Sequence, residues 1–133
     1  MWVIVNVWAI LVAAVSGFAL GALWYSPALF LNSWLHERKM KKEAKVKHKP
    51  MVHGISFVLS IVSVSLLSLF LGPNPPLSIA VGSGFLIGLC WVLSSFASHY
   101  LYTGQSFKLF LIDGGYYLLQ FTLFGLVLGL FPA

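Results

Sequence analysis

Charge is scarce in this chain: only 8% of its 133 residues are charged, and only three of those are acidic. So little charge excludes a soluble domain, because 59% of the residues are apolar and a chain of this length has no interior able to hide them. Cysteine is nearly missing as well; Cys90 stands alone in the middle of an apolar run, can make no internal disulfide and reads as packing. Amphipathic strands of ~10 residues are absent, which excludes a closed transmembrane barrel. No Lys or Arg stands ahead of the first apolar run, MWVIVNVW, so that run is read as a permanent anchor and not as a signal peptide. Also missing are any CxxCH or HExxH sequence, any nucleophile–base spacing and any nucleic-acid-binding signature. An enzyme is thereby disfavoured, and no nucleic acid is expected as a partner.

What is present is apolar length. Mean hydropathy is +0.93, and four runs, at about 2–25, 51–71, 77–101 and 107–131, each meet the ~20-residue requirement for a helix crossing ~30 Å of hydrocarbon. The expected fold is all-α: one transmembrane domain over residues 1–133, an integral membrane four-helix bundle surrounded by membrane lipids. Basic charge falls in two places, Arg38, Lys39, Lys41, Lys42, Lys45, Lys47 and Lys49 in the loop 37–50, and Lys108 beside the third loop, at the start of the last run. Positive residues stay on the cytoplasmic side, and both places lie on one side of a four-span chain. The expectation is a multi-pass inner (plasma) membrane protein with both termini outside and PNPP, residues 73–76, as an external turn.

The first run ends at WYSPALFLNSW, residues 24–34. Pro27 lacks an N–H and disfavours helical geometry at Ser26, so the helix should break there, with Ser26 capping a short interfacial helix that carries Leu29, Phe30, Leu31, Trp34 and Leu35. Small residues recur at four-residue steps in every span: Gly17 and Gly21, Ser56 and Ser60, Gly84 and Gly88, Gly125 and Gly129. Helices in lipid associate through such ridges, here mainly inside one bundle. A unit this small has little interior, so a homo-oligomer, or a place in a larger membrane complex, is also expected.

Polar residues inside the runs gather at one end. His53, Ser56, Ser60 and Ser63 form a stripe on the second helix; Trp91, Ser94, Ser95, Ser98, His99 and Tyr102 close the third; Asp113, Tyr116, Tyr117 and Gln120 open the fourth. Asp113 stands out, because five residues past Lys108 it lies ~7.5 Å deeper, where a carboxylate needs partners. Lys108 is a poor one, about 140° away round the helix. The donors within reach are Trp24, Tyr25, His53, His99 and Tyr102, with Gly114 and Gly115 leaving room beside the acid. The expected ligand-binding set is Trp24, Tyr25 and Ser26 from the first helix, His53 from the second, Ser98, His99 and Tyr102 from the third, and Asp113, Tyr117 and Gln120 from the fourth. His53 and His99 are the weak candidates for a haem or metal, and the sequence identifies no cofactor. Trp24, Tyr25, Tyr100 and Tyr102 also have an alternative reading, as an interfacial aromatic belt.

WYSPALF after the first helix, HYLYTG ending the third and KLFLIDGGYYLL opening the fourth resemble a family of small four-span bacterial membrane proteins, domain of unknown function 1761. The resemblance covers nearly the whole chain, departing at Leu31, where the family usually has glycine. It implies a four-helix inner-membrane protein and supplies no activity. Three functions then compete: a bundle with a cytoplasm-facing polar pocket for a small ligand, lipid headgroup or ion; a proton- or cation-coupled carrier using Asp113; and a haem- or metal-binding subunit using His53 and His99.

Overall fold

A computed structural model describes residues 6–37 and 50–131. The basic run of the loop expected over 37–50 lies outside the described residues, as do residues 1–5 and 132–133. No strand occurs among the described residues; the elements are α1 (Val7–Trp24), α2 (Leu31–Glu37), α3 (Pro50–Leu71), α4 (Leu77–Ile87), a π-helical turn (Gly88–Val92), α5 (Leu93–Thr103) and α6 (Phe107–Leu130). α4, the π turn and α5 run on as one helical stretch, Leu77–Thr103, so four stretches are long and apolar enough to cross a membrane.

The ends are set by local chemistry. The Asn6 side chain accepts the Ala9 N–H at 3.2 Å and donates to the Phe131 carbonyl at 3.0 Å, so one residue caps α1 and ties it to the far end of α6. Gly72 and Gly104 end α3 and α5 in the left-handed region, with φ of 83° and 72°, where a side chain would be strained. The hydroxyl oxygen of Ser106 caps α6 by accepting the Leu109 N–H at 3.1 Å. The start of α2 differs from the expectation. Ser26 does not cap it, because its hydroxyl turns back to donate to the Leu23 carbonyl at 2.6 Å, while its own carbonyl accepts the Leu29 and Leu31 N–H groups. Residues 26–30 are therefore turns, and α2 begins only at Leu31.

α6 is the axis of the bundle, gripped on one side by α4 and on another by α1, while α3 leans mainly on α1. Glycine makes the grip on α4 possible. A Cβ on Gly84 would run into the Phe121 carbonyl oxygen, and one on Gly125 into the Ala80 carbonyl oxygen, so the two backbones touch reciprocally. On the α1 side, a Cβ on Gly17 would lie 3.0 Å from the Phe124 ring and one on Gly21 2.9 Å from the Tyr116 oxygen. All three glycine pairs thus work inside the chain. The serine pair of α3 does not: Ser56 is exposed and Ser60 half-buried, and the core of Ala9, Ile10, Ala13, Phe124, Val127 and Leu128 is met instead by Val64 and Leu67.

Candidate functional site

Asp113 lies in the second turn of α6 and is only 8% exposed. Helical geometry puts Leu109, Ile112, Asp113, Tyr116 and Gln120 along the buried face of α6, so the acid points into protein and not toward lipid. One carboxylate oxygen accepts the Tyr25 hydroxyl at 2.7 Å, and the other accepts the hydroxyl of Tyr100. Tyr25 comes from the end of α1 and Tyr100 from α5, so a single carboxylate joins three helical segments. A charge-assisted bond of this kind contributes ~1.5–3 kcal/mol, and removing one partner from a buried acid costs at least that.

The chain around the acid is fixed by further bonds. Trp24 Nε1 donates to the Ile112 carbonyl at 2.8 Å, next to Asp113, and a Cβ on Gly115 would lie 3.1 Å from the Trp24 ring. Gly114 is covered by Leu93, whose methyl group a Cβ there would strike. The room that Gly114 and Gly115 were expected to leave for a ligand is filled by Leu93 and Trp24. Deeper along the same face, Gln120 donates to the Tyr116 oxygen at 3.2 Å, and Tyr116 donates to the Gly17 carbonyl at 3.0 Å. Two groups of bonds, Asp113 with Tyr25 and Tyr100 and Gln120 with Tyr116 and the Gly17 carbonyl, thus tie α6 to its neighbours, as an apolar surround requires.

Aromatic rings enclose this set. Tyr25 meets Tyr116 edge-on at 5.6 Å, Tyr116 meets Tyr117 at 4.9 Å, and Tyr117 stacks on Phe96 at 5.0 Å. Phe96 and Phe110 stand 5.8 and 6.1 Å from the Tyr100 ring. Such pairs add ~0.5–1.5 kcal/mol each beyond the area they bury. A small cavity of about 10 Å³, lined by Asn6, Ser68, Leu71, Gly72 and Phe131 among others, lies at the opposite end of the bundle. It has room for about one water.

Of the expected set, Trp24, Tyr25, Asp113, Tyr117 and Gln120 come together. Ser26 sits in the turn just after Tyr25. Ser98, His99 and Tyr102 do not join, because α5 faces α6 with Phe96 and Tyr100 and leaves those three exposed, Tyr102 at 91%. His53 lies on the first part of α3, where residues 50–56 are all exposed. Thus the expected four-helix convergence is a convergence of α1, α5 and α6. Among the described residues no three of His, Cys, Asp and Glu cluster in a way that could hold a metal. Two participants were missed. Tyr100, which the sequence offers only for the aromatic belt beside Trp24, Tyr25 and Tyr102, shares a face with Phe96 four residues earlier. Glu37, whose carboxylate accepts the Ser106 hydroxyl at 2.6 Å, carried no sequence signal beyond its charge.

Residues 8–129 match the family described as protein of unknown function (DUF1761), and the chain belongs to that family. Neither a curated protein nor a solved structure matches it.

Proposed function

We propose that this DUF1761 protein is a non-enzymatic membrane bundle that binds a small cation, or a cationic lipid headgroup, at the acid–tyrosine cluster. The observation that carries the reading is the environment of Asp113: the one acid inside the spans, buried, and held by tyrosines from two other segments. An ionised carboxylate has about four acceptor positions, so two tyrosine bonds leave acceptor capacity for a cation. The aromatic rings gathered near the acid suit the same charge, since a cation–π contact contributes ~0.5–2 kcal/mol. An anion or a neutral apolar ligand would gain from neither feature.

The test uses tetramethylammonium as the probe, with intrinsic tyrosine and tryptophan fluorescence of the purified protein as the readout. Saturable binding that Asp113→Asn abolishes, while the variant keeps its assembled mass, supports the reading. Equal binding by the Asn variant overturns it. Proton- or cation-coupled transport is the alternative use of the same acid, and the lack of a second acid in the spans counts against it.

The basic residues of the sequence support a reading in which this end of the bundle faces the cytoplasm across an inner membrane and both termini lie outside. In intact cells a cysteine replacing Lys45 should resist an impermeant thiol reagent while one replacing Asn74 reacts; the reverse pattern moves the site to the outer face. A homo-oligomer would have to assemble through faces other than the glycine ridges, which are occupied within the chain, and its mass in detergent measures it.

A further inference from the structure

Among the described residues, a short piece of chain packs beside the Asp113 cluster on its interfacial side. After Trp24 the backbone leaves the axis of α1, makes the turns of residues 26–30 and folds back so that α2 packs against the start of α6. Leu35 is driven in to 3% exposure. The Trp34 ring stands edge-on to Tyr25 at 6.2 Å, and Phe30 lies against Trp24 at 4.5 Å, so α2 and its lead-in rest on the two residues that bond to Asp113 and to the Ile112 carbonyl. At its far end, Glu37 accepts the Ser106 hydroxyl. Ser106 is the cap of α6, so the Glu37 carboxylate is held at the positive end of the α6 dipole, the favourable place for an anion.

Among the described contacts, the buried Leu35, the Trp34 ring, the Phe30 ring just before the helix and the Glu37–Ser106 hydrogen bond hold α2 beside the site, and the turns after Tyr25 supply its pivot. We infer that α2 is a lid over the acid–tyrosine cluster and that Glu37–Ser106 is its latch, so that release of this one bond opens the route to Asp113. The inference rests on the proposed cation site for its purpose, but the lid itself is detectable without any ligand.

The experiment is carried out on the full chain with Cys90→Ala, which removes the exposed native thiol. Leu35→Cys places a thiol under the lid, and Leu29→Cys provides an exposed control. With a water-soluble maleimide, Leu35→Cys should react at least about tenfold more slowly than Leu29→Cys, as a thiol reachable only through a minor open state does. Adding Glu37→Ala should raise the Leu35→Cys rate about tenfold, as expected for loss of one hydrogen bond to a charged group, and leave the Leu29→Cys rate unchanged. Because the cysteine could itself loosen α2, hydrogen exchange is measured on the chain with Leu35 intact. There Glu37→Ala should speed exchange of the α2 amides and leave α6 beyond its first turn protected. An unchanged maleimide rate with unchanged α2 exchange overturns the lid, as does Leu35→Cys reacting as fast as the control. These readouts separate the two ideas: loss of tetramethylammonium binding in all variants sinks the cation site and leaves the lid, whereas α2 protection insensitive to Glu37, with Asp113-dependent binding intact, sinks the lid alone.

Discussion

α3 and α6 invert the rule that governs soluble proteins. Over an 18-residue window α3 has the higher hydropathy, 2.3 against 1.4, yet 17% of that window is buried in the protein against 44% for α6. α6 carries the acid, a glutamine, two tyrosines and four glycines, and it is the helix the others pack around. In lipid there is no gain from turning leucine toward protein in preference to acyl chains, so apolar residues are spent on the outside. Polar groups and close backbone contact need protein around them, and they mark the centre. Hydropathy thus identifies what crosses the membrane, while its local failures identify what the crossing helices surround.

The strongest way to break the comparison is at the α4–α6 contact. Replacing Gly125 with leucine drives a side chain into the Ala80 carbonyl, where the obstacle is backbone and cannot move aside. Overpacking of this kind costs ~1–3 kcal/mol even where side chains can shift, so more is expected here. The purified variant should lose cooperative unfolding in mild detergent or fail to assemble. A variant as stable as the parent would show that α6 is not the axis.

Much of this was legible in the sequence. Run length pointed to four long apolar helices, and an acid inside the fourth that had to be satisfied pointed to partners on other helices; that the fourth is the axis was not legible. Tyr25 was among the donors named for Asp113, because WYS ends the first helix at the right depth. What the sequence could not give was rotation. Tyr100, His99 and Tyr102 lie within three positions, and which of them turns inward depends on how α5 rolls on α6, a quantity fixed by the Phe96 and Leu93 contacts and by the π turn Gly88–Val92 upstream. A π turn adds a residue to a helical turn and shifts the face that follows, and no periodicity announces it. The packed face of α3 was hidden for a related reason: a serine stripe suggests a packed face, but serine can satisfy itself on its own helix, as Ser16 does with the Val12 carbonyl at 2.7 Å.

A middle-sized effect sharpens the comparison at the polar centre of α6. Tyr100→Phe removes one hydroxyl from Asp113 while keeping the ring among Phe96 and Phe110. The loss should be ~1–3 kcal/mol, measured as a lower midpoint in denaturant, since a buried carboxylate oxygen is left with one donor fewer. Tyr102→Phe, two residues on and 91% exposed, should change nothing beyond error. Equal effects of the two substitutions would mean that α5 is rolled differently and that the tyrosine–acid triad is not the centre.

The smallest effect is expected on α3, and its smallness is the point. Leu66 is 61% exposed, in the same helix as Val64, which is fully buried against α1 and α6. In water, truncating an exposed leucine and a buried valine would differ because one lies in solvent and the other does not. In a bilayer both are in apolar surroundings, and only packing distinguishes them. Leu66→Ala exchanges a leucine–lipid contact for an alanine–lipid contact in folded and unfolded-in-membrane states alike, so stability should move by less than ~0.5 kcal/mol. Val64→Ala leaves a void that lipid cannot enter, and the missing contacts should cost about 1 kcal/mol or more. Unfolding midpoints of the two variants in the same detergent or bicelle measure the difference. If Leu66→Ala is as costly as Val64→Ala, the exposed side of α3 is covered by protein, and the low burial of this helix belongs to the isolated chain and not to the form in the membrane.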